Sequence, residues 1–131
     1  MSSLSASYRI LRPLNVFLTF GSVLLGGWLA EHALHLQLLL AALAASLIAA
    51  AGYVQNDIVD LPVDRISHPD RILPVGGLTL GRAKILSLAG YVSGLLLTAF
   101  LPPPCTLAAT AITLSLLLYN LRLKKLPLIG N

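Results

Sequence analysis

The sequence contains few charged residues and only one cysteine. Charged side chains make up 11% of its 131 residues, whereas 56% are hydrophobic. With a single cysteine, Cys105, one chain can form neither an internal disulfide framework nor a cysteine metal site. The scarcity of charge argues against an ordinary soluble domain, in which about 25% of the residues are charged. A membrane protein is the better starting hypothesis.

Long uncharged runs are abundant instead. A helix that crosses the roughly 30 Å hydrocarbon core of a bilayer needs about 17–25 residues. Four runs have that length, and they cover residues 14–30, 36–54, 85–101 and 105–121. We therefore predict an all-α fold, a polytopic membrane helical bundle with four transmembrane helices. Residues 1–131 would form one transmembrane domain, with a long polar loop between helices 2 and 3.

The basic residues are confined to three segments of the chain. They precede the first run, separate the second from the third, and follow the fourth. The other two turns, 31–35 and 102–104, contain no Lys or Arg. If the N-terminus is cytoplasmic, every basic residue lies on the cytoplasmic side of the membrane, which is the positive-inside pattern. We predict a multi-pass protein of the cytoplasmic membrane, with both termini and the Asp-rich loop cytoplasmic. The same distribution argues against nucleic acid as the partner of the +4 net charge.

Small residues in the spans predict close packing between helices. The third span contains two glycines four residues apart, Gly90 and Gly94, and the second span is rich in alanine. Because lipid gives helices little hydrophobic reason to associate, small residues matter by allowing close backbone contact. Between these spans, residues 55–82 form the long polar connection. Pro62 is expected to kink or loosen any helix that extends into it.

Most of the acidic residues lie in one stretch, QNDIVDLPVD at 55–64. If the second helix continues through it, the helical step of about 100° places Asp57, Asp60 and Asp64 within about 60° of one another. Asn56 would lie beside them. Two such carboxylates about 5 Å apart repel by roughly 3 kcal/mol at an effective dielectric constant near 20. A bound cation would remove this cost.

Oxygen ligands without His or Cys at ligand spacing fit Mg²⁺ better than zinc or copper. Mg²⁺ held by carboxylates is commonly shared with phosphate oxygens. The polar connection supplies matching basic residues, namely Arg65, Arg71, Arg82 and Lys84. Acids and bases together suggest a phosphate-bearing ligand bridged by a metal ion. The residues alone leave open a second interpretation, a solvated interfacial loop whose charges pair with each other or with lipid headgroups.

Several of these motifs resemble a known family. NDIVDLPVD is similar to the first Asp-rich motif, N-D-x-x-D-x-x-x-D, of the UbiA superfamily of intramembrane prenyltransferases. RISHPDRILPVGGLTLGRA is similar to the loop that follows it. LRPLN at 11–15 resembles the beginning of the family's first helix, and YNLRLKKLPLIGN at 119–131 resembles the segment that links its fourth and fifth helices. The chain departs from the family loop at Ile72 and Val75, where proline and serine are usual.

The resemblance implies a transferase, which moves a prenyl group from an isoprenoid diphosphate to a lipid or aromatic acceptor within the membrane. Among the branches of the family, the one that transfers geranylgeranyl to a glycerol phosphate ether is the most similar. The implied Mg²⁺ ligands are Asn56, Asp57, Asp60 and Asp64, and the three aspartates would be catalytic. The implied ligands of the diphosphate are Asn15, Arg71 and Lys124, with Arg65 as a further candidate. The aromatic rings that could stabilise a carbocation, or equally lie at the membrane interface, are Tyr53, Tyr91 and Tyr119.

The resemblance also implies that the sequence is the N-terminal part of a longer fold. The family has about nine helices and a second Asp-rich motif, whereas no further D-x-x-x-D follows Asp70. We therefore interpret the chain as truncated and expect no substantial transferase activity from it alone. A second chain could supply the missing half. The alternative function is a non-catalytic membrane module that binds an isoprenoid diphosphate or a complementary half-protein. A small ion transporter fits less well, because the acids lie at the membrane boundary rather than at its centre.

Overall fold

The computed structural model describes residues 3–122. Those residues form five α-helices and no strand. The helices are α1 (Ser3–Ile10), α2 (Pro13–Glu31), α3 (Leu36–Ser67), α4 (Leu80–Thr98) and α5 (Pro103–Leu121). By length and composition, α2 to α5 can each cross a membrane. The predicted all-α bundle with four membrane helices is therefore confirmed.

Two features at the beginning and middle of the chain differ from the predicted spans. The short helix α1 was not predicted, since eight residues are too few to cross a bilayer. The helix α3 does not end with its apolar run but continues to Ser67. It passes through the Asp-rich stretch and through Pro62, so the proline does not end it. The predicted polar loop at 55–82 was therefore too long, and the connection between α3 and α4 covers residues 68–79.

The helix α4 is displaced from its predicted span of 85–101. It begins at Leu80, preceded by Thr79 as the N-cap residue, and it ends at Thr98. Apolar runs indicate which part of a helix lies in lipid, but charged residues extend a helix beyond that part without breaking it. The beginning of α4 was therefore predicted too late. Its end was also predicted too late, because the apolar run continues beyond Thr98 into the turn before α5. The helix α5 begins at the proline run, with Pro103 in its first turn, close to the prediction.

The helix α3 is the centre of the bundle and contacts α2, α4 and α5. Its contact with α4 is the most extensive. A Cβ atom added to Gly94 would lie 2.7 Å from Ile48 Cγ1 and 3.0 Å from the Ala44 carbonyl oxygen. A Cβ added to Gly90 would lie 2.9 Å from Ala51 Cβ. The two glycines therefore allow the α4 backbone to lie directly against the alanine-rich face of α3, as their spacing predicted.

The connection at 68–79 is folded against α1 and the end of α3. Leu73 and Leu78 are buried in one apolar cluster with Ile10 and Val54. Backbone hydrogen bonds close the turns, including one of 2.9 Å from Gly77 N to the Ile72 carbonyl oxygen. This packing fixes the loop beside the Asp-rich part of α3. The helix α1 contributes Ala6 and Ile10 to the same cluster.

Candidate functional site

The Asp-rich stretch forms one face of α3, as the sequence predicted for a continuous helix. Asn56 Nδ2 donates a hydrogen bond of 2.9 Å to Asp60 Oδ2, one turn further along. Asp57 and Asp60 are partly buried, and Asp64 is only 4% exposed. These four residues are called the acidic face below. A carboxylate as buried as that of Asp64 requires a charged partner, because an isolated buried charge is costly.

Arg71 is the partner of Asp64. Its Nη1 donates to both carboxylate oxygens, at 2.8 Å to Oδ1 and 2.7 Å to Oδ2. The hydrogen bond to Asp64 raises the pKa of the Arg71 guanidinium above its ordinary value, so the side chain stays positively charged. Arg71 belongs to the connection at 68–79, and the ion pair therefore attaches this connection to α3. The predicted role of Arg71 as a diphosphate ligand is not tested by this contact.

Arg12 is the partner of Asp57. Its Nη2 lies 2.6 Å from Asp57 Oδ1, and its guanidinium carbon lies 5.5 Å from the centre of the Tyr53 ring. Arg12 immediately precedes α2 and has a left-handed backbone conformation, with φ of 53°. Arg12 belongs to the basic residues before the first span and to the LRPLN motif, but neither feature predicted its contact with Asp57. Its position directly before Pro13, where α2 begins, places it at the N-terminal end of the helix but does not indicate its partner.

A polar cavity of about 360 Å³ lies between these ion pairs. Three arginines border it, together with the carboxylates of Asp57 and Asp70. The arginines are Arg9, Arg12 and Arg71. Guanidinium groups match the oxygens of phosphate groups by paired hydrogen bonds. The cavity therefore has the chemistry of a site for a phosphate-bearing anion.

Of the other predicted diphosphate ligands, the two that the structure describes do not line this cavity. Asn15 borders a neighbouring space of about 360 Å³, together with Thr19 and Tyr53. Arg65 is exposed on the last turns of α3, and it makes no ion pair within residues 3–122. Lys124 lies outside the described residues. The structure thus pairs Arg71 with Asp64 and places Arg71 and Asp57 at one cavity, which neither Asn15 nor Arg65 lines.

The fit of a metal ion can be judged from the donor set. Three carboxylates and an amide oxygen on one helix face are ligands that suit Mg²⁺. In the part of the chain that the structure describes, however, no three His, Cys, Asp or Glu side chains are grouped closely enough to hold a metal ion. Two of the three carboxylates form ion pairs with arginines instead. The chemistry fits Mg²⁺, and the metal site stays a prediction.

A second polar cluster lies next to the acidic face and was not predicted. Gln55 Oε1 accepts a hydrogen bond of 2.7 Å from the Tyr91 hydroxyl and a longer one of 3.4 Å from Asn120 Nδ2. These contacts join α3, α4 and α5 at the residue that precedes Asn56. The Tyr91 side chain is buried between helices. Its observed contact is therefore structural, and its predicted role toward a carbocation is not tested.

Replacing Tyr91 by phenylalanine should reduce the stability of the bundle modestly. The substitution removes one buried hydrogen bond between helices, which is worth about 0.6 kcal/mol on average in membrane proteins and up to about 1.7 kcal/mol. Unfolding of the detergent-solubilised chain, followed by the fluorescence of its single tryptophan, measures the change. Ser93→Ala is the control, because the Ser93 hydroxyl donates only within α4. Equal stability of the two variants would contradict a role for the Gln55 cluster in joining the helices.

Fold and site together define the class of this protein. It is an integral membrane helical protein that carries clustered aspartates and arginines at one end of its bundle. The model of the UbiA prenyltransferase family matches residues 13–131. The chain belongs to this family, as its motifs predicted.

Curated relatives resemble the chain over nearly its whole length. Digeranylgeranylglyceryl phosphate synthase of Methanoculleus marisnigri is 36% identical over 129 residues, which is 98% of this chain and 46% of that protein. The synthases of the same name from Sulfurisphaera tokodaii and Saccharolobus solfataricus are 34% and 35% identical, over 98% of this chain and 47% and 46% of theirs. The chain spans about half the length of the curated relatives it matches.

A solved structure shows that the similarity extends to the three-dimensional fold. The structure of a digeranylgeranylglyceryl phosphate synthase in membranes matches 99% of this chain with a TM-score of 0.91 and 30% sequence identity. It matches over 47% of that chain's own length. The described helices therefore correspond to part of a prenyltransferase fold.

Proposed function

We propose that the chain forms one half of a prenyltransferase that transfers geranylgeranyl from its diphosphate to a geranylgeranylglyceryl phosphate acceptor in the membrane. The observation that carries the proposal is the polar cavity that three arginines line together with Asp57 of the acidic face. Family membership and the name shared by the relatives support the same substrate class. The chain's own length, about half that of the relatives, supports the view that the complete activity needs further residues.

The proposed roles follow from the charges of the site. The acidic face, Asn56 with Asp57, Asp60 and Asp64, would hold Mg²⁺, and the ion would supply positive charge to the departing diphosphate. Arg71 would bind diphosphate oxygens from the opposite side of the cavity. The predicted ligands Asn15, Arg65 and Lys124 would complete the diphosphate site. The bundle would lie in the cytoplasmic membrane among its lipids, with the acidic face and both termini cytoplasmic.

Direct binding tests this proposal on the chain as it exists. In lipid nanodiscs, the chain should bind geranylgeranyl diphosphate in the presence of Mg²⁺ and much more weakly in a chelator. Asp60→Asn should weaken Mg²⁺-dependent binding by about tenfold or more, because it replaces an ionised ligand by a neutral one, and even residues that only support metal ligands typically change metal affinity by about 10–100-fold. Calorimetry measures the affinities.

Glu31→Gln is the matched control for that experiment. Glu31 is the last residue of α2, pairs with His35, and lies at the opposite end of this helix from Arg12. Glu31→Gln removes the same charge as Asp60→Asn, and this variant should bind geranylgeranyl diphosphate as tightly as the unmodified chain does. Binding without any dependence on Mg²⁺ or on Asp60 would contradict the proposal. With geranylgeranylglyceryl phosphate added, we expect no substantial prenyl transfer by the chain alone. Efficient transfer would show that these 131 residues are sufficient for the reaction.

The second candidate function is a non-catalytic membrane module that binds an isoprenoid diphosphate or a complementary half-protein. The observation that favours it is the arrangement of the acidic face, where two carboxylates are paired with arginines within the chain itself. A second chain that supplies the missing half would distinguish the two functions. It would restore transfer in the first case and would only bind in the second.

A further inference from the structure

Arg12 lies on the acidic face at the point where a metal ion would bind. Its Nη2 is 2.6 Å from Asp57 Oδ1, and Arg71 binds both oxygens of Asp64. Two of the proposed metal ligands are therefore already neutralised by positive side chains. A metal ion that approaches Asp57 must compete with a guanidinium that is already there.

Arg12 is held differently from Arg71. Arg71 binds both oxygens of a carboxylate that is almost fully buried, whereas the Arg12 contact reaches one oxygen of a partly buried one. Arg12 also borders the polar cavity, next to Arg9 and Arg71. A guanidinium has five N–H donors in a rigid plane. The Arg12 side chain is also 37% exposed, so it has room to turn from Asp57 toward an anion in the cavity.

We propose that Arg12 is an internal counter-ion that changes partners. Without a ligand it neutralises Asp57, and when Mg²⁺ and a diphosphate bind together it leaves Asp57 to the metal and binds the diphosphate oxygens. This inference rests on the proposed function, because it requires both ligands at the acidic face. The Tyr53 ring, 5.5 Å from the guanidinium carbon, provides an aromatic surface along which the cation can turn.

The exchange couples the two ligands through one side chain. Mg²⁺ alone competes with Arg12 for Asp57, so it binds weakly. Magnesium diphosphate brings the anion that Arg12 needs as its new partner, so it binds tightly. Couplings of this kind usually change affinities by about 5–150-fold and act equally on both ligands. The exchange would in this way weaken the binding of Mg²⁺ when no diphosphate is present.

Arg12→Gln tests the exchange, because it should move two affinities in opposite directions. In nanodiscs, calorimetric titration with Mg²⁺ alone should show tighter binding than in the unmodified chain, by about fivefold or more. Titration with magnesium diphosphate should show weaker binding, by about tenfold. A variant that merely disturbs the fold would weaken both. Arg12→Lys keeps the charge and should keep Mg²⁺ alone weakly bound.

Arg122→Gln is the charge-matched control. Arg122 is the exposed residue that follows α5, and among the described residues its side chain forms no ion pair with the acidic face. It should leave both affinities unchanged. If Arg12→Gln gives the same or weaker affinity for Mg²⁺ alone, the exchange is refuted while the proposed function stands. If the unmodified chain binds neither Mg²⁺ nor magnesium diphosphate, the proposed function itself fails.

Discussion

Gly94→Val should be among the most destabilising single substitutions in the bundle. A Cβ at this position would meet Ile48 Cγ1 at 2.7 Å and the Ala44 carbonyl oxygen at 3.0 Å. The carbonyl belongs to the backbone of α3 and cannot rotate away as a side chain does. Overfilling a packed interior usually costs about 1–3 kcal/mol, and we expect the upper end of this range because α3 and α4 must separate. The expected measurement is a lower unfolding free energy in detergent.

Gly26→Val separates this packing effect from the intrinsic effect of valine in a helix. Gly26 lies inside α2, and a Cβ there would meet nothing within 4 Å. The control should therefore unfold at nearly the same denaturant concentration as the unmodified chain. Similar losses in both variants would mean that the contact between α3 and α4 is not as close as the structure has it. Gly90→Val should resemble Gly94→Val, because its added Cβ would lie 2.9 Å from Ala51 Cβ.

The membrane helices could be predicted from the sequence because hydrophobicity is a local property. Four uncharged runs of sufficient length predicted four helices, and α2 to α5 confirm them. The glycine spacing in α4 likewise predicted a close contact that the structure contains. Helix ends were predicted less well. The α3 helix continues past its apolar run to Ser67, since polar residues leave the membrane without leaving the helix.

The shared face of the four α3 residues could be predicted from their spacing, whereas contacts between different helices could not. Asn56, Asp57, Asp60 and Asp64 follow a helical spacing that is visible in the sequence. Arg12 is separated from Asp57 by 45 positions, and only the packing of α1, α2 and α3 brings them together. The contact between Gln55 and Asn120, 65 positions apart, is of the same kind. Contacts between residues so far apart in the sequence leave no local pattern, so neither of these two contacts was predicted.

A hybrid protein should show whether the acidic face acts in catalysis. In this hybrid the chain replaces the segment of the Methanoculleus marisnigri synthase to which it is similar, so that the relative supplies the remaining half. We expect Mg²⁺-dependent prenyl transfer by the hybrid. Asp57→Asn or Asp60→Asn should then reduce kcat/KM by about 100-fold or more, because loss of one group that stabilises transition-state charge typically costs about 2.7–4 kcal/mol.

Two further measurements make that result specific to the site. Glu31→Gln in the hybrid should leave kcat/KM unchanged, since Glu31 is at the far end of α2. Asp64→Asn should affect both transfer and stability, because it also removes the partner of Arg71 and loosens the connection at 68–79. A folded hybrid that binds magnesium diphosphate but transfers nothing would favour the non-catalytic module. An active hybrid that tolerates both Asp57→Asn and Asp60→Asn would exclude the acidic face from catalysis.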